Sequence, residues 1–344
     1  MNGATKGLVA LGLLGVGAAL GAVAERALTR RIVAEQPAAS HPVSAFESAT
    51  VLTDDGVQLH VEIGGLASPN APTVVFSHGY GLSLDSWPDQ RLEVGRVART
   101  VLWDQRGHGR SQRGSSTTDI DRLGRDLGCV IDAVAPEGVV VLVGHSMGGM
   151  TIMALADQRP ELFGERVRGV ALLATAAGRI ADVDLGLPQP VARIAHAIAP
   201  SIGSTVEGGG PVATLLERAL RSSSDLGMII TRAYAFGATA PPEGTRLVAD
   251  LITGTPVEVL AELLPALEEH DKEHALHVLE HIDLLVMVGD ADLLTPVGHS
   301  LDIVRHVPSA ELVILPGVGH MLTLEADREV SRHLVDLVER VTRA

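Results

Sequence analysis

The chain has 344 residues but only one cysteine and few aromatic residues, namely two tryptophans, two tyrosines and four phenylalanines. The single cysteine, Cys129, excludes an intramolecular disulfide and a zinc site built from cysteines. It lies within the apolar stretch DLGCVIDAV, which favours a thiol packed in the protein interior.

Positive charge is scarce as well, since 27 lysines and arginines stand against 42 acidic residues, and the net charge is −15. We do not expect so acidic a chain to bind nucleic acid or anionic lipid through its main body. Hydrophobic residues make up 46% of the chain and charged residues 20%, which is typical of a globular protein. The length allows one large α/β domain with an insertion, or two domains.

The amino terminus carries a long apolar run, GLVALGLLGVGAALGAVA at residues 7–24. As a helix this uncharged segment would reach roughly 27 Å, which is enough to cross the hydrocarbon core of a bilayer. Basic residues flank the run: Lys6 before it, and Arg26, Arg30 and Arg31 after it. We therefore predict a membrane anchor within residues 1–31, with the main body on the cytoplasmic side by the positive-inside tendency.

Two other interpretations of this segment stay open. The triplet Ala22-Val23-Ala24 is typical of a signal-peptide cleavage site, and cleavage there would mean that the protein is exported. A glycine-weakened apolar segment of a soluble protein is the third interpretation. Residues 32–45, IVAEQPAASHPVSA, are rich in proline, alanine and serine without a period, and we interpret them as a linker.

Beyond the linker, short apolar runs alternate with helical stretches. FESATVL and VQLHVEI predict two paired strands joined by the turn Asp54-Asp55-Gly56. Six further runs follow, each before a helical stretch: TVVFS, TVLWD, VVVLV, VRGVALLAT, LLVMVG and ELVIL. This alternation predicts an α/β fold, a mostly parallel sheet covered by helices on both faces, over residues 46–178 and 282–344. Ligands of such sheets bind at the carboxyl ends of the strands.

Polar and glycine-rich motifs stand at these strand ends. His78-Gly79 follows TVVFS, QRGHGRS comes after TVLWD, and GHSMGG comes after VVVLV; DADLLTP and PGVGHMLTLE follow the last two runs. Together these motifs resemble those of the α/β-hydrolase superfamily. The resemblance spans about residues 46–178 and 282–342, and it implies an oxyanion loop, a nucleophile turn, a late acid and a histidine after the last strand.

The nucleophile turn places Ser146 between Gly144 and Gly148. A serine that projects from a tight strand-to-helix turn needs neighbours without Cβ atoms, because the backbone passes too close to itself there. The helix that follows points its amino end at the site, where its partial positive charge favours a developing oxyanion. A single match of this kind is weak by itself, and its position after a buried strand strengthens it.

A serine hydroxyl needs a base to take its proton at neutral pH. His320 in GVGHML is the candidate base, and Asp292 in GDADLLTP would hold its tautomer and stabilise the imidazolium. The order Ser146, Asp292, His320 along the chain is the order that this fold uses. Asp290 is a competing candidate for the acid.

The resemblance also assigns an oxyanion hole to the backbone N–H groups of Tyr80 and Met147, with His78 and Gly79 supporting the loop. The motif QRGHGRS and the Asp104 before it are expected to stitch a loop by hydrogen bonds. No cofactor and no metal are implied. The stretch His270-Asp271-Lys272-Glu273-His274 does match the zinc-peptidase pattern His-x-x-Glu-His, but a mixed-charge surface helix explains it as well.

Residues 179–281 break the strand–helix rhythm and are rich in alanine and leucine. A helical insertion of this size resembles the cap that roofs the pocket in this superfamily, and its low charge favours an apolar acyl or alkyl pocket. The sequence GHSMGG is common in esterases and monoacylglycerol lipases, so the resemblance implies a serine esterase that cleaves a small-molecule ester, apolar or lipid-derived, through an acyl-enzyme.

Other activities are compatible with the same motifs. The same triad serves thioester or carbon–carbon bond hydrolysis, or a cofactor-free haloperoxidase or perhydrolase activity. Epoxide hydrolases and dehalogenases use aspartate where this chain has Ser146. A slow, ligand-binding homologue is a further alternative.

Overall fold

Eight strands form one sheet in the computed structural model, which describes residues 46–68, 70–180, 231–238 and 240–343. The strands are β1 (Glu47–Leu52), β2 (Gln58–Gly65), β3 (Thr73–Ser77), β4 (Arg99–Trp103), β5 (Val140–His145), β6 (Val167–Leu173), β7 (Asp283–Gly289) and β8 (Glu311–Leu315). Every strand expected from the apolar runs is present.

The spatial order of the strands is β1-β2-β4-β3-β5-β6-β7-β8. The pairs β1–β2 and β2–β4 are antiparallel, and all pairs from β4–β3 onward are parallel. The strand order reverses direction around β3, so the loops after β3 and β5 open next to each other at the carboxyl edge. This is the position where open α/β sheets bind ligands.

The helices cover the sheet on both faces. They are α1 (Gln90–Val94), α2 (Ile120–Val134), α3 (Met147–Gln158), α4 (Pro242–Gly254), α5 (Val257–Glu268), α6 (Val297–His306), α7 (Leu322–Glu325) and α8 (Asp327–Arg343). Three short 3-10 helices occupy Leu84–Ser86, Pro160–Leu162 and Glu273–His281. Each strand side chain points to the face opposite its neighbour, and the two faces have separate cores.

Alternation along β5 shows the two cores directly. Leu142 packs with the apolar sides of α2 and α3, while Val141 and Val143 pack with α8 on the other face. All three side chains are fully buried, as expected for a central parallel strand. The predicted fold class is therefore confirmed: a mostly parallel sheet with helices on both faces.

A buried ion-pair network fixes the β1–β2 turn against α2. The Arg106 guanidinium donates to Asp126 at 2.5 and 2.7 Å and to Asp55 at 3.0 and 3.1 Å. Arg122 bonds to the same Asp126 carboxylate. Because Arg106 and Asp126 are fully buried, removing either partner would leave an uncompensated charge.

About half of the predicted cap and all of the predicted anchor lie outside the residues that the structure describes. Residues 181–230, about half of the predicted cap at 179–281, are outside the described residues, as are the anchor at 1–31 and the linker at 32–45. The described part of the cap includes α4 and α5. Within the described ranges no helix combines the length and apolar character needed to span a membrane.

Candidate active site

Ser146 lies in a strained turn between β5 and α3. Its backbone angles are φ 53° and ψ −119°, which a residue with a side chain rarely adopts. A Cβ at Gly148 would lie 2.0 Å from the Ser77 carbonyl oxygen, and one at Gly144 would lie 2.5 Å from the Gly148 backbone. Both glycines are therefore required by the close backbone packing.

Neighbouring strands hold this turn. The Ser146 N–H donates to the Leu173 carbonyl at the end of β6 at 2.9 Å. The Thr175 hydroxyl donates to the Ser146 carbonyl at 2.7 Å. Met147 is the first residue of α3, so its N–H is among the four at a helix start that have no intrahelical carbonyl partner. The turn thus presents a hydroxyl beside a free helix amino end.

Asp292 and His320 form a hydrogen-bonded pair at the same edge of the sheet. The His320 Nδ1–H donates to Asp292 Oδ2 at 2.9 Å, and both residues are about 95% buried, with exposed fractions of 5% and 4%. Burial acts to raise the Asp292 pKa, but the charge of His320 and the hydrogen bonds from His320 and Thr295 outweigh it, so the pKa lies below its ordinary value. Asp292 is therefore ionised at neutral pH.

Thr295 completes the support of Asp292. Its hydroxyl donates to Asp292 Oδ2 at 2.9 Å, and the Leu294 and Thr295 N–H groups donate to Oδ1 at 2.8 and 2.9 Å. The competing acid, Asp290, is exposed and accepts a hydrogen bond from the Gly317 N–H at 2.6 Å instead. The structure thus brings Asp292, and not Asp290, to His320.

His145 connects the serine turn to the histidine loop. Its Nε2–H donates to the His320 carbonyl oxygen at 2.9 Å, and the two rings lie 4.9 Å apart. Burial lowers the His145 pKa to about 3, so the ring is neutral. A Cβ at Gly79 would lie 2.9 Å from His145 Nδ1, which explains the glycine in the preceding loop. His145 therefore joins Ser146, Gly79 and His320 in one cluster.

The loop after β3 is braced from the loop after β4. His78 Nδ1–H donates to the Gly79 carbonyl at 2.8 Å, and its Nε2 accepts from the Gln105 N–H at 2.9 Å. The Gln105 amide donates to the His78 carbonyl at 2.6 Å, and its oxygen accepts from Thr151 on α3 at 2.7 Å. Burial lowers the His78 pKa to about 4. His78 thus braces this loop through both of its ring nitrogens.

Tyr80 ties this loop to the described part of the predicted cap. Its hydroxyl donates to the Leu260 carbonyl on α5 at 2.6 Å, and burial raises its pKa. The Thr255 hydroxyl, between α4 and α5, donates to the Gly81 carbonyl at 3.2 Å. The backbone of Tyr80 is thus held from the sheet side by His78 and from the cap side by α5.

The His-x-x-Glu-His stretch does not form the predicted surface helix. Its first histidine, His270, is buried, and burial lowers its pKa to about 4. His274 is exposed at the start of a 3-10 helix and lies 2.9 Å from the Asp157 carboxylate. Two histidines in such different surroundings do not face one ion. In the part of the chain that the structure describes, no three metal-ligating side chains converge.

Several supporting residues carried no sequence signal. Gln105 and Thr175 donate to the backbone carbonyls of His78 and Ser146, which lie 27 and 29 residues away in the chain, so no local spacing identifies these roles. A polar residue three positions after the predicted acid was the one available hint for Thr295.

A mostly parallel sheet with a strained serine turn after a central strand, next to a buried aspartate–histidine pair, defines a hydrolase of the α/β type. The comparison with protein families agrees. The chain belongs to the alpha/beta hydrolase family, whose model matches residues 74–333.

Known proteins are similar to most of the chain. A non-heme haloperoxidase from Rhodococcus erythropolis is 28% identical over 297 residues, covering 84% of this chain and 98% of that protein. A bifunctional esterase/perhydrolase from Acinetobacter calcoaceticus is 38% identical over 100 residues, 29% of this chain and 35% of that protein. An esterase from Thermogutta terrifontis shares the fold, with a TM-score of 0.67 and 21% sequence identity. The match covers 86% of this chain and 99% of that esterase.

Proposed function

We propose that this hydrolase cleaves carboxylic esters through an acyl-enzyme on Ser146, with His320 as the base and Asp292 as the acid. The arrangement of the His320–Asp292 pair and the Ser146 turn at one edge of the sheet supports the proposal most directly. His145 adds to it, because it bonds the histidine loop directly next to the serine turn.

Acylation follows from these positions. Ser146 Oγ attacks the ester carbonyl while His320 Nε2 takes the hydroxyl proton, and ionised Asp292 stabilises the imidazolium. The carbonyl oxygen becomes an oxyanion that accepts hydrogen bonds from the backbone N–H groups of Tyr80 and Met147. The C–O bond to the alcohol then breaks, and His320 returns the proton to the leaving oxygen.

Deacylation repeats the sequence with water. His320 Nε2 takes a proton from a water molecule, whose oxygen attacks the acyl carbonyl. The bond to Ser146 Oγ breaks, the serine recovers its proton from His320, and the carboxylic acid leaves. The same two N–H groups stabilise both tetrahedral intermediates.

An apolar acyl group suits the surroundings of the site. Two apolar clusters join the described part of the cap to the catalytic loops. One combines Met147 and Met150 with Val259 and Leu263 of α5, and the other combines Leu82 and Met321 with Val248 of α4. Burying a methylene in such surroundings stabilises a bound chain by about 0.8 kcal/mol. We therefore expect kcat/KM to rise with acyl length before the pocket is full.

The decisive test is hydrolysis of p-nitrophenyl esters of increasing acyl length by the full chain and by Ser146→Ala. We expect turnover by the parent protein and a loss of several orders of magnitude in the variant, because a triad acts as a unit. A fluorophosphonate should label the parent and not the variant. Full activity of Ser146→Ala would exclude the serine mechanism.

A perhydrolase activity of the same site is the second candidate, favoured by the similarity to the non-heme haloperoxidase over 84% of the chain. In this reaction hydrogen peroxide replaces water, attacks the acyl-enzyme and leaves as the peracid, while Ser146 recovers its proton. Peracid formation from an ester and hydrogen peroxide, measured against ester hydrolysis, separates the two activities. Both should be lost in Ser146→Ala.

We further propose that the amino-terminal segment anchors the enzyme at a membrane, where lipid-derived esters such as monoacylglycerols are concentrated. Residues 7–24 contain no charge and three arginines follow them, which favours a span with a cytoplasmic body. Deleting residues 1–31 should move the protein to the soluble fraction and leave hydrolysis of a short soluble ester unchanged. A mature protein that begins at Glu25 would show export by a signal peptide instead.

A further inference from the structure

The Glu325 carboxylate bridges two separate backbone segments. Oε1 accepts a hydrogen bond from the Gly319 N–H at 2.9 Å, directly before His320 in the chain. Oε2 accepts one from the Gly237 N–H at 2.8 Å, in the cap segment 235–238. One side chain therefore holds the histidine loop and the cap together.

The two segments also touch each other without an intervening side chain. A Cβ at Gly237 would lie 2.2 Å from the Gly317 carbonyl oxygen, and one at Gly319 would lie 2.4 Å from the Gly237 nitrogen. The Met321 N–H donates to the Ala235 carbonyl at 2.9 Å, and the Ala238 N–H donates to the Gly317 carbonyl at 3.3 Å. Movement of the cap segment must therefore displace the backbone on both sides of His320.

Arg232 holds the cap segment from within the cap. Its guanidinium donates to the Gly237 carbonyl and to the Ala238 carbonyl, the latter at 3.0 Å. Phe236 and Ala235 pack with Met321 in the same apolar cluster. Arg232 does not hydrogen-bond the histidine loop, although its charge acts on Glu325. A change at Arg232 therefore disturbs the cap segment directly and the Glu325 carboxylate only through that charge.

Opposing influences act on the pKa of the Glu325 carboxylate. Burial raises its pKa, as does the charge of Asp292, while the two N–H groups and Arg232 act in the opposite direction. Glu325 is only half-buried and has no role in the proposed proton transfers. A glutamine in its place would present one acceptor oxygen and turn an amide N–H₂ toward the second N–H group.

We propose that Glu325 is a positioning residue that couples the seating of the cap segment 235–238 to the placement of His320. The seated segment sets the backbone of the histidine loop, and so sets His320 against Asp292 and Ser146. This inference rests on the proposed function for its kinetic readout only, since the placement of the His320 ring is also measurable without substrate.

The test compares Glu325→Gln with Glu329→Gln, an exposed carboxylate on α8 that lies 3.9 Å from Arg332. Kinetics are measured with p-nitrophenyl acetate, whose short acyl group gives the cap little to bind. We expect Glu325→Gln to lower kcat by about ten- to a hundred-fold, the scale of a misplaced catalytic group, with KM and the melting temperature near those of the parent. Glu329→Gln should match the parent, and an unchanged kcat in Glu325→Gln would overturn the proposal.

Arg232→Gln and the double variant Arg232→Gln/Glu325→Gln complete the cycle. Coupling through the cap segment predicts that Arg232→Gln also lowers kcat. It further predicts that the fold-loss of kcat in the double variant is much smaller than the product of the two single-variant fold-losses. An inert Arg232→Gln, or fully multiplicative losses, would mean that Glu325 supports the loop locally, and would reject the coupling. If Glu325→Gln does not fold, Arg232→Gln alone carries this test.

Nuclear magnetic resonance of ¹⁵N-labelled histidine provides the readout without substrate. The His320 Nδ1–H signal, bonded to Asp292, should shift or broaden in Glu325→Gln and in Arg232→Gln, and stay unchanged in Glu329→Gln. An unchanged signal in both variants overturns the proposal. A parent protein that hydrolyses no ester and binds no fluorophosphonate rejects the proposed function, while this signal still decides the role of Glu325.

Discussion

The serine turn and the histidine loop lie side by side but are held in different ways. The turn is built from contiguous residues, and its shape follows from a strained backbone and two close approaches that admit only glycine. The histidine loop is held by Asp292 and His145, which come from distant parts of the chain, and by the nearby Glu325, which links it to the backbone of the distant Gly237. The comparison teaches that one half of the site is a local motif and the other half is a product of the tertiary fold.

The largest expected effect comes from the histidine loop. Asp292→Asn should lower kcat by about 10⁴-fold while the protein stays folded, because an amide fixes the wrong histidine tautomer. The matched change is Asp290→Asn, two residues earlier, where the carboxylate accepts from the Gly317 N–H. It should lower kcat far less. Equal losses in both variants would contradict the assignment of the acid.

A fall in pH also separates the two regions. The backbone geometry that shapes the serine turn does not titrate, whereas buried imidazoles do. Burial lowers the pKa of His78 and His270 to about 4 and that of His108 and His145 to about 3. Between these values and the unfolded value of about 6.5, the unfolded chain binds more protons, so the free energy of unfolding falls as pH falls.

Each of these histidines contributes up to about 1.4 kcal/mol per pH unit within that window. Urea unfolding at pH 7.5 and 5.5 should therefore show a loss of roughly 5 kcal/mol from the four groups together. Equal stability at the two pH values would contradict the neutral, buried state of these rings.

A smaller effect is expected from a change that disturbs the backbone packing of the serine turn. Gly148→Ala places a methyl group against the Ser77 carbonyl and should lower the free energy of unfolding by about 3 kcal/mol, in the range for strain and overpacking. Gly298→Ala in α6 is the control, because nothing lies within 4 Å of the added atom. It should be neutral or stabilising. Thermal unfolding of the two variants measures the difference, and a stable Gly148→Ala would refute the packing argument.

The smallest effect concerns the contact between the loop after β3 and α5 of the predicted cap. Tyr80→Phe removes the hydrogen bond to the Leu260 carbonyl and keeps the ring, so stability should fall by about 1 kcal/mol. The backbone N–H at position 80 is unchanged, and kcat on a short ester should drop less than about five-fold. The control is Tyr234→Phe, which removes the same hydroxyl group from a half-buried tyrosine outside the loop after β3. A loss of kcat as large as in Asp292→Asn would show that the hydroxyl itself takes part in the chemistry.

Most of the fold was predictable because a buried parallel strand leaves a continuous apolar run in the sequence. All six such runs from TVVFS to ELVIL became strands, and the turn at Asp54-Asp55-Gly56 joins β1 to β2. Patterns of a few contiguous residues also identified the geometry of the serine turn. The roles of Ser146, Asp292 and His320 in catalysis stay predictions.

The remaining features depend on contacts that no local pattern encodes. Glu325 lies in TLEAD, where a glutamate at the end of a short helix is unremarkable, and its partners are backbone groups of Gly319 and Gly237. The His-x-x-Glu-His match shows the same limit, because a sequence pattern does not report that His270 is buried and His274 exposed. The cap boundaries at 179 and 281 also stay predictions.

The joining of His145 to His320 has a consequence for protein synthesis, because these neighbours are 175 residues apart along the chain. A ribosome that adds about 5–20 residues per second needs roughly 10–35 s to cover that distance. Through that interval the nascent chain carries Ser146 without His320, its proposed base. Under the proposed mechanism, a hydrolase built in this order is chemically silent while it is being made, and Ser146 gains reactivity only after the predicted cap and all eight strands have been translated.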